Sequence, residues 1–153
     1  MMKMTGLLAV ALKKSEILVR PKVVYAHCDI PCGIYETNTM VMAADTVAKM
    51  VEKMMEAKAP STDPQQHREF TNNFIRLIHT KEEWAQKCKQ EILILWTDYF
   101  KEEHLAKFPD LHTKVWKATK LCSQAKRTVD LKVVADLKAA VAEIARIFAE
   151  TKK

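Results

Sequence analysis

The chain has 153 residues, 48% of them apolar and 29% charged, with a formal net charge of +6; that composition fits one folded domain with a sizeable core and excludes a disordered chain. Two glycines in the whole sequence argue against a turn-rich all-β fold, and no apolar run approaches the roughly 20 residues that cross a bilayer. The charge does not mark a nucleic-acid partner: Lys3, Lys13, Lys14, Arg20 and Lys22 stand against Glu16 alone in residues 1–26, and beyond them basic residues are spread among acids rather than gathered on one face.

Residues 1–26 read as a removable leader. Thr5 to Leu12 is a short apolar stretch, and Lys13-Lys14, Glu16, Arg20 and Lys22 separate it from the small-residue site Val24-Tyr25-Ala26. A secretory signal keeps its apolar region next to the cut, so that route does not fit. The basic, acid-poor composition also suits an organelle transit peptide, and a plain N-terminal tail is the other reading. Cysteine usage points to a reducing compartment, because Cys28 and Cys32 are close while Cys88 and Cys122 lie apart inside helical patterns. A cytoplasmic protein is expected, with organelle targeting by residues 1–26 left open.

The nine residues His27-Cys28-Asp29-Ile30-Pro31-Cys32-Gly33-Ile34-Tyr35 follow, and helical patterns follow them. Glu36-Thr37-Asn38-Thr39 offers capping residues. Apolar residues then recur at Met40, Ala44, Val47, Val51 and Met54, the four-three spacing of an amphipathic seam, and Pro60 and Ser61 close the element. Asp63-Pro64 looks like an N-cap with proline at the first helical position. A long helix is predicted from about Pro64 to about Phe100, bent near Thr80, with Phe70, Phe74, Leu77, Ile78, Trp84, Ala85, Cys88, Ile92, Leu95 and Tyr99 inward. Its end, Ile92-Leu93-Ile94-Leu95-Trp96, is apolar on every side, which predicts burial beyond a single bundle core and hence subunit contacts.

Lys101 to Pro109 reads as a connecting loop. Asp110 is placed to cap a third helix carrying Leu111, Val115, Ala118, Leu121, Cys122 and Ala125 inward. After a break near Arg127-Thr128, the stripe Leu131, Val134, Leu137, Val141, Ile144, Ile147 and Phe148 predicts a fourth. Lys152-Lys153 suits a helix C-terminus. The expected fold class is all-α: an up-down-up-down four-helix bundle over about 38–150, with an N-terminal metal-binding hook at 27–35. Cys88, Cys122 and the Met40, Met50, Met54 and Met55 group read as packing. His67 and His79 read as surface or interface residues, and His104 and His112 lack partners for a zinc site.

The hook carries the chemistry. Cys28 and Cys32 are soft donors, and Pro31 and Gly33 let the backbone turn so that both sulfurs converge. The pair alone is compatible with a metal site or with a labile disulfide switch. His27 adds a condition: if the leader is cut after Ala26, His27 gains a free α-amine whose proton a metal displaces readily. Amine nitrogen, the Cys28 amide nitrogen and two sulfurs form a planar set, which suits Ni(II) or Cu(II) rather than tetrahedral zinc. The His27 imidazole is then available as an axial fifth ligand.

Those residues resemble the nickel-containing superoxide dismutases, whose mature chains begin with a nickel hook of the pattern His-Cys-Asp-x-Pro-Cys-Gly-x-Tyr. Leu95-Trp96-Thr97-Asp98-Tyr99-Phe100-Lys101, followed by His104, Pro109, Leu111 and His112, also matches that family, as do Ile147-Phe148 and Glu150-Thr151-Lys152-Lys153 near the end. The resemblance spans His27 to Lys153, a dismutase domain over 27–153. It implies disproportionation of superoxide to oxygen and hydrogen peroxide, with one nickel ion per subunit cycling between Ni(II) and Ni(III). His27, Cys28 and Cys32 would be the metal ligands. Asp29 and Tyr35 match residues that shape the substrate pocket, and Tyr35 with ordered water is the candidate proton route. Pro31, Trp96, Asp98 and Tyr99 match residues that support the hook. The resemblance further implies a homohexamer and a dedicated peptidase that removes the leader; the charge distribution and the lack of a long apolar run predict neither nucleic acid nor membrane as partner. Two departures stand out. The family pattern carries an acidic residue on the first helix and an arginine on the second to position the axial histidine, and ungapped matching puts Ala43 and Trp84 there. Lys101-Glu102-Glu103 lacks the prolines of that loop. A metal carrier or thiol switch on a helical bundle is the rival reading.

Overall fold

A computed structural model describes residues 33–58 and 62–152. The leader at 1–26, the hook residues His27, Cys28, Asp29, Pro31 and Cys32, the closing pair Pro60-Ser61 and Lys153 lie outside the described residues. Among the described residues the chain is all-α: α1 (Asn38–Glu56), α2 (Pro64–Ile94), a π-helical turn (Leu95–Tyr99), α3 (Glu102–Lys107), α4 (Leu111–Arg127) and α5 (Leu131–Thr151). The four long helices α1, α2, α4 and α5 form the expected bundle. Packing joins α1 to α2, α2 to α4, α4 to α5, and α5 back to α1. No helix among the described residues is long and apolar enough to cross a membrane.

The seams predicted from spacing form the core. Met40, Ala43, Val47 and Val51 from α1, Ala85, Cys88 and Ile92 from α2, Leu111, Ala118 and Cys122 from α4, and Leu137, Ile144 and Ile147 from α5 are essentially buried. Burying such side chains contributes about 1.5–3 kcal/mol for each large one. Cys88 and Cys122 are core residues, as their helical spacing predicts. The Cys88 thiol donates to the Met40 carbonyl at 3.5 Å. The adjacent Cys122 thiol and burial push Cys88 well above its ordinary value, so it stays protonated.

Helix starts are capped where chemistry permits. The Asp63 carboxylate accepts from the Gln66 amide at 2.9 Å, with Pro64 at the first helical position. Asp130 accepts from the Lys132 and Val133 amides in the same way. Four local expectations need correction. Neither Thr37 nor Asp110 makes a side-chain cap bond; Asp110 instead pairs with Lys114 at 2.8 Å, a stronger partner than an exposed amide. The long helix is not α-helical to Phe100 but changes to a π turn after Ile94. The supposed loop after Phe100 holds the short helix α3, entered where the Lys101 amide donates to His104 Nδ1 at 3.1 Å. The inward stripe of α2 begins only at Lys81, because Phe70, Phe74 and Leu77 are partly exposed and Ile78 is 37% exposed. Helix α2 has 31 residues against 19 in α1, so its first turns extend past α1 among the described residues.

Lys81 sits on the core face with its ammonium 2.9 Å from the Lys126 carbonyl and 2.7 Å from that of Thr128. It thereby satisfies carbonyls that the end of α4 leaves without helical partners. Burial pushes its pKa down, and the two carbonyl bonds offset part of that desolvation.

Candidate metal centre and its support

The hook joins the bundle at Gly33–Tyr35. Gly33 has φ +65°, a left-handed backbone that glycine adopts without steric cost, and nothing lies within 4 Å of where a Cβ would be. Ile34 is 65% exposed. Of the described hook residues Gly33–Tyr35, Tyr35 is the one that packs against the core cluster. Its ring lies 5.4 Å from that of Tyr99, its hydroxyl donates to the Asp98 carbonyl at 3.4 Å, and its own carbonyl accepts from the Lys152 ammonium at 2.9 Å.

The π turn explains why Asp98 and Tyr99 are available there. An i→i+5 turn inserts an extra residue into the helical ladder and re-aims the side chains beyond it. Leu95 still reaches the core, and the Phe100 amide closes the turn on the Leu95 carbonyl at 2.9 Å. Tyr99 then sits at the centre of an aromatic group. It packs against Phe148 at 4.6 Å, Phe100 at 5.3 Å and His104 at 5.5 Å between ring centroids, and its hydroxyl meets Thr151 Oγ1 at 2.8 Å. Such ring pairs each contribute about 0.5–1.5 kcal/mol beyond area burial.

Of the residues expected to form the site, Tyr35, Asp98 and Tyr99 come together. Asp98 takes part through its main-chain carbonyl, and its side chain is exposed. Trp96 is half-buried and lies 5.3 Å from the His112 ring. Three contributors were missed from sequence. Lys152 and Thr151 reach the tyrosines from the end of α5, and His104 stacks on Tyr99. The signal was present in the match at Glu150-Thr151-Lys152-Lys153, but a helix end rich in lysine reads first as a solvated terminus.

Tyr35 separates two clefts. One, of about 290 Å³, is bounded by Gly33, Tyr35, Asp98, Tyr99, Lys101, Glu103 and His104. The other, of about 460 Å³, lies between the hook exit, the start of α1 and the face of α2 that carries Lys87 and Glu91. At the two positions where the family pattern has an acid and an arginine, the structure is apolar. Ala43 is fully buried, and Trp84 packs against the core with the Lys87 ammonium 4.9 Å from its ring. That polar pair is absent from these two sites.

The donors that His27, Cys28 and Cys32 offer in sequence would fit nickel: two thiolates and a main-chain amide, joined by an α-amine were His27 the first residue, would suit a planar ion. Among the described residues no group of three or more His, Cys, Asp or Glu side chains forms another metal site, so the bundle offers no competing centre there.

The comparisons agree with this architecture. The sequence model of the family described as nickel-containing superoxide dismutase matches residues 22–152. The nickel superoxide dismutases of Streptomyces seoulensis and Streptomyces coelicolor are each 38% identical over 137 residues, covering 89% of this chain and 96% of theirs. Among solved structures, native nickel superoxide dismutase superposes with a TM-score of 0.69 at 35% identity, over 83% of this chain and all of that one. A nickel-containing superoxide dismutase with oxidised-state nickel ligation gives 0.69 at 36% identity, over 82% and 98% of the two chains. The protein is thus a helical-bundle metalloprotein. It belongs to the nickel-containing superoxide dismutase family.

Proposed function

We propose that this protein disproportionates superoxide to oxygen and hydrogen peroxide at a nickel centre in the hook. The family match along residues 22–152 carries this reading, and the anchoring of Tyr35 on Tyr99 supports it from the structure. The ligands are His27, through its α-amine and imidazole, Cys28, through its amide nitrogen and thiolate, and Cys32, through its thiolate. Nickel, when bound, supplies a one-electron couple that thiolate and amide donation brings within reach of superoxide.

The chain's own groups have separate tasks. Asp29 and Tyr35 shape the small pocket beside the hook. In this reading the Tyr35 hydroxyl, which donates to the Asp98 carbonyl, takes part with ordered water in supplying a proton to the peroxide that leaves. Tyr99 and Asp98 hold Tyr35, Pro31 turns the hook, and Trp96 stiffens the π turn on which the support depends. Lys101 lines the cleft beside Tyr35 together with Glu103, so a small anion entering there meets both charges.

The amine ligand requires that a peptidase remove residues 1–26, so that the mature protein starts at His27. The mature protein works in the cytoplasm as a homohexamer. Exposed apolar side chains support self-association: Ile75 is 58% exposed, Ile78 and Leu93 are also open, and Phe70 stacks on Phe74 in the first turns of α2. The test is intact-mass analysis of the purified protein under native conditions, read together with dismutase activity. A chain starting at His27 with one nickel per subunit supports the reading. An uncut chain holding zinc or no metal contradicts it.

A further inference from the structure

The bundle core holds two thiols that the hook chemistry does not use. Cys88 on α2 and Cys122 on α4 are fully buried and free. Two side-chain bonds fix how these helices meet: Lys89 Nζ donates to Ser123 Oγ at 3.2 Å, and Lys126 Nζ donates to Gln86 Oε1 at 2.9 Å. Numbers rise along α2 as they fall along α4, so the helices are antiparallel. Cys88 precedes Lys89, and Cys122 precedes Ser123, so both cysteines sit at one level of the α2–α4 contact. One turn away the same register sets Ala85 against Ala125, both fully buried. Small side chains favour a close approach. Helices about 8–10 Å apart, with Cα atoms about 2.3 Å from each axis, bring facing Cα atoms into the roughly 4.4–6.8 Å that a disulfide spans.

The two thiols are not equivalent. Cys88 keeps its proton, which it directs at the Met40 carbonyl 3.5 Å away. The hydrogen bond between the thiols draws Cys122 down from its ordinary value, and the Lys89 and Lys126 ammonium groups add to this against the opposing effect of burial. The thiolate is the form that attacks peroxides. Cys122 is therefore placed to attack, and Cys88 is placed to resolve. Hydrogen peroxide is small and uncharged, so local opening of the bundle admits it where larger reagents stay out.

We propose that Cys88 and Cys122 are a peroxide-responsive dithiol, oxidised to a disulfide that ties α2 to α4 across the core. The Cys122 sulfur attacks one peroxide oxygen, the O–O bond breaks, and Cys122 sulfenic acid and water form. The Cys88 sulfur then attacks the Cys122 sulfur, the S–O bond breaks, and a second water leaves. Two thiols lose two electrons to one peroxide, giving one disulfide and two waters. The proposed dismutation supplies that oxidant in turnover, and to that extent the inference rests on it; added peroxide tests the thiol pair by itself.

The full-length protein is treated with hydrogen peroxide, digested without reduction and mapped by mass spectrometry, alongside thermal melting. The peptide holding Cys88 is expected joined to the one holding Cys122. The melting midpoint should rise by about 5–10 °C, and dithiothreitol should reverse both changes. In Cys88→Ala the reaction should stop at the sulfenic acid, so dimedone labels Cys122, whereas Cys122→Ala should leave Cys88 unlabelled. Cys88 and Cys122 both recovered as free thiols, or linked only to Cys28 or Cys32, overturn the inference. A bond that forms without raising the midpoint overturns the tie between helices, and label on Cys88 in Cys122→Ala overturns the order of attack. A Cys88–Cys122 bond in a protein that lacks dismutase activity supports the thiol pair and contradicts the proposed function alone.

Discussion

The Tyr99 hydroxyl lies 2.8 Å from Thr151 Oγ1, joining the π turn to the last turn of α5 across 52 positions. Thr151 passes the link on by donating to the Phe148 carbonyl at 2.7 Å, one turn earlier in α5. The aromatic group that holds the hook is thus tied to a helix end that is itself tied to the core. Thr151→Val removes the hydroxyl at nearly constant shape. It is expected to cost about 1 kcal/mol of stability, read as a lower midpoint in urea with the slope unchanged. Dismutase activity should fall less than it does in Tyr99→Ala, which removes the ring that packs on Tyr35.

The proposed metal ligands His27, Cys28 and Cys32 precede the first bundle helix in sequence, so their loss should separate chemistry from folding. Cys28→Ser and Cys32→Ser are each expected to abolish nickel binding and dismutase activity, because a hydroxyl is a poor soft-metal ligand. Helix content and the cooperative unfolding of the bundle should stay as in the metal-free parent protein. Circular dichroism and metal analysis on the same samples check this. A serine variant that keeps a full complement of nickel contradicts the ligand assignment.

The apolar pair at Ala43 and Trp84 makes a prediction about stability. Ala43 is fully buried, so Ala43→Glu places a carboxylate in the core without a partner and overfills the site. The expected cost exceeds about 2 kcal/mol. Adding Trp84→Arg supplies a partner and should recover part of that loss, giving a favourable coupling in a double-mutant cycle. Strict additivity of the two changes contradicts the proximity assumed here. Whatever orients the His27 imidazole in this protein, these two side chains cannot supply a charge to do it.

Acid should act on the contact between α4 and α5. Glu143 accepts from Arg146 at 2.9 Å and from Lys114 at 2.8 Å, and these partners hold its carboxyl down to about 2, against an ordinary value of 4.5. A carboxyl depressed in the folded state stabilises fully above the unfolded value and loses that contribution as pH falls through the folded one. The melting advantage of the parent over Glu143→Gln should therefore be constant above about pH 5 and shrink between pH 4.5 and pH 2. The side chain is one-third exposed, so salt should reduce the effect. An advantage that persists undiminished at pH 2 rules out this cause.

Much of the bundle was legible because the seams at Met40–Met54, Leu111–Ala125 and Leu131–Phe148 repeat with helical spacing and end at caps or breaks. Three features were not. The π turn at Leu95–Tyr99 depends on tertiary packing of Leu95 and Tyr99, which no local period records. Lys81 occupies a core position that a hydropathy pattern assigns to solvent, and only the carbonyls at the end of α4 explain it. The start of α2 has an inward stripe on paper, but a stripe does not state whether a neighbouring helix is long enough to meet it. At the site, the specific pattern His27 to Tyr35 identified the chemistry, whereas its anchors Thr151 and Lys152 are distant in sequence and ordinary in type.

The central claim is that a hook beginning at His27 binds nickel and turns over superoxide. Native intact-mass analysis of the active protein tests it most directly, because one spectrum reports the first residue, the metal and the number of subunits. The account predicts subunits that start at His27, carry one nickel each and assemble as six, with activity confined to that species. Full dismutase activity in a protein that still carries Ala26, or in one without nickel, contradicts it.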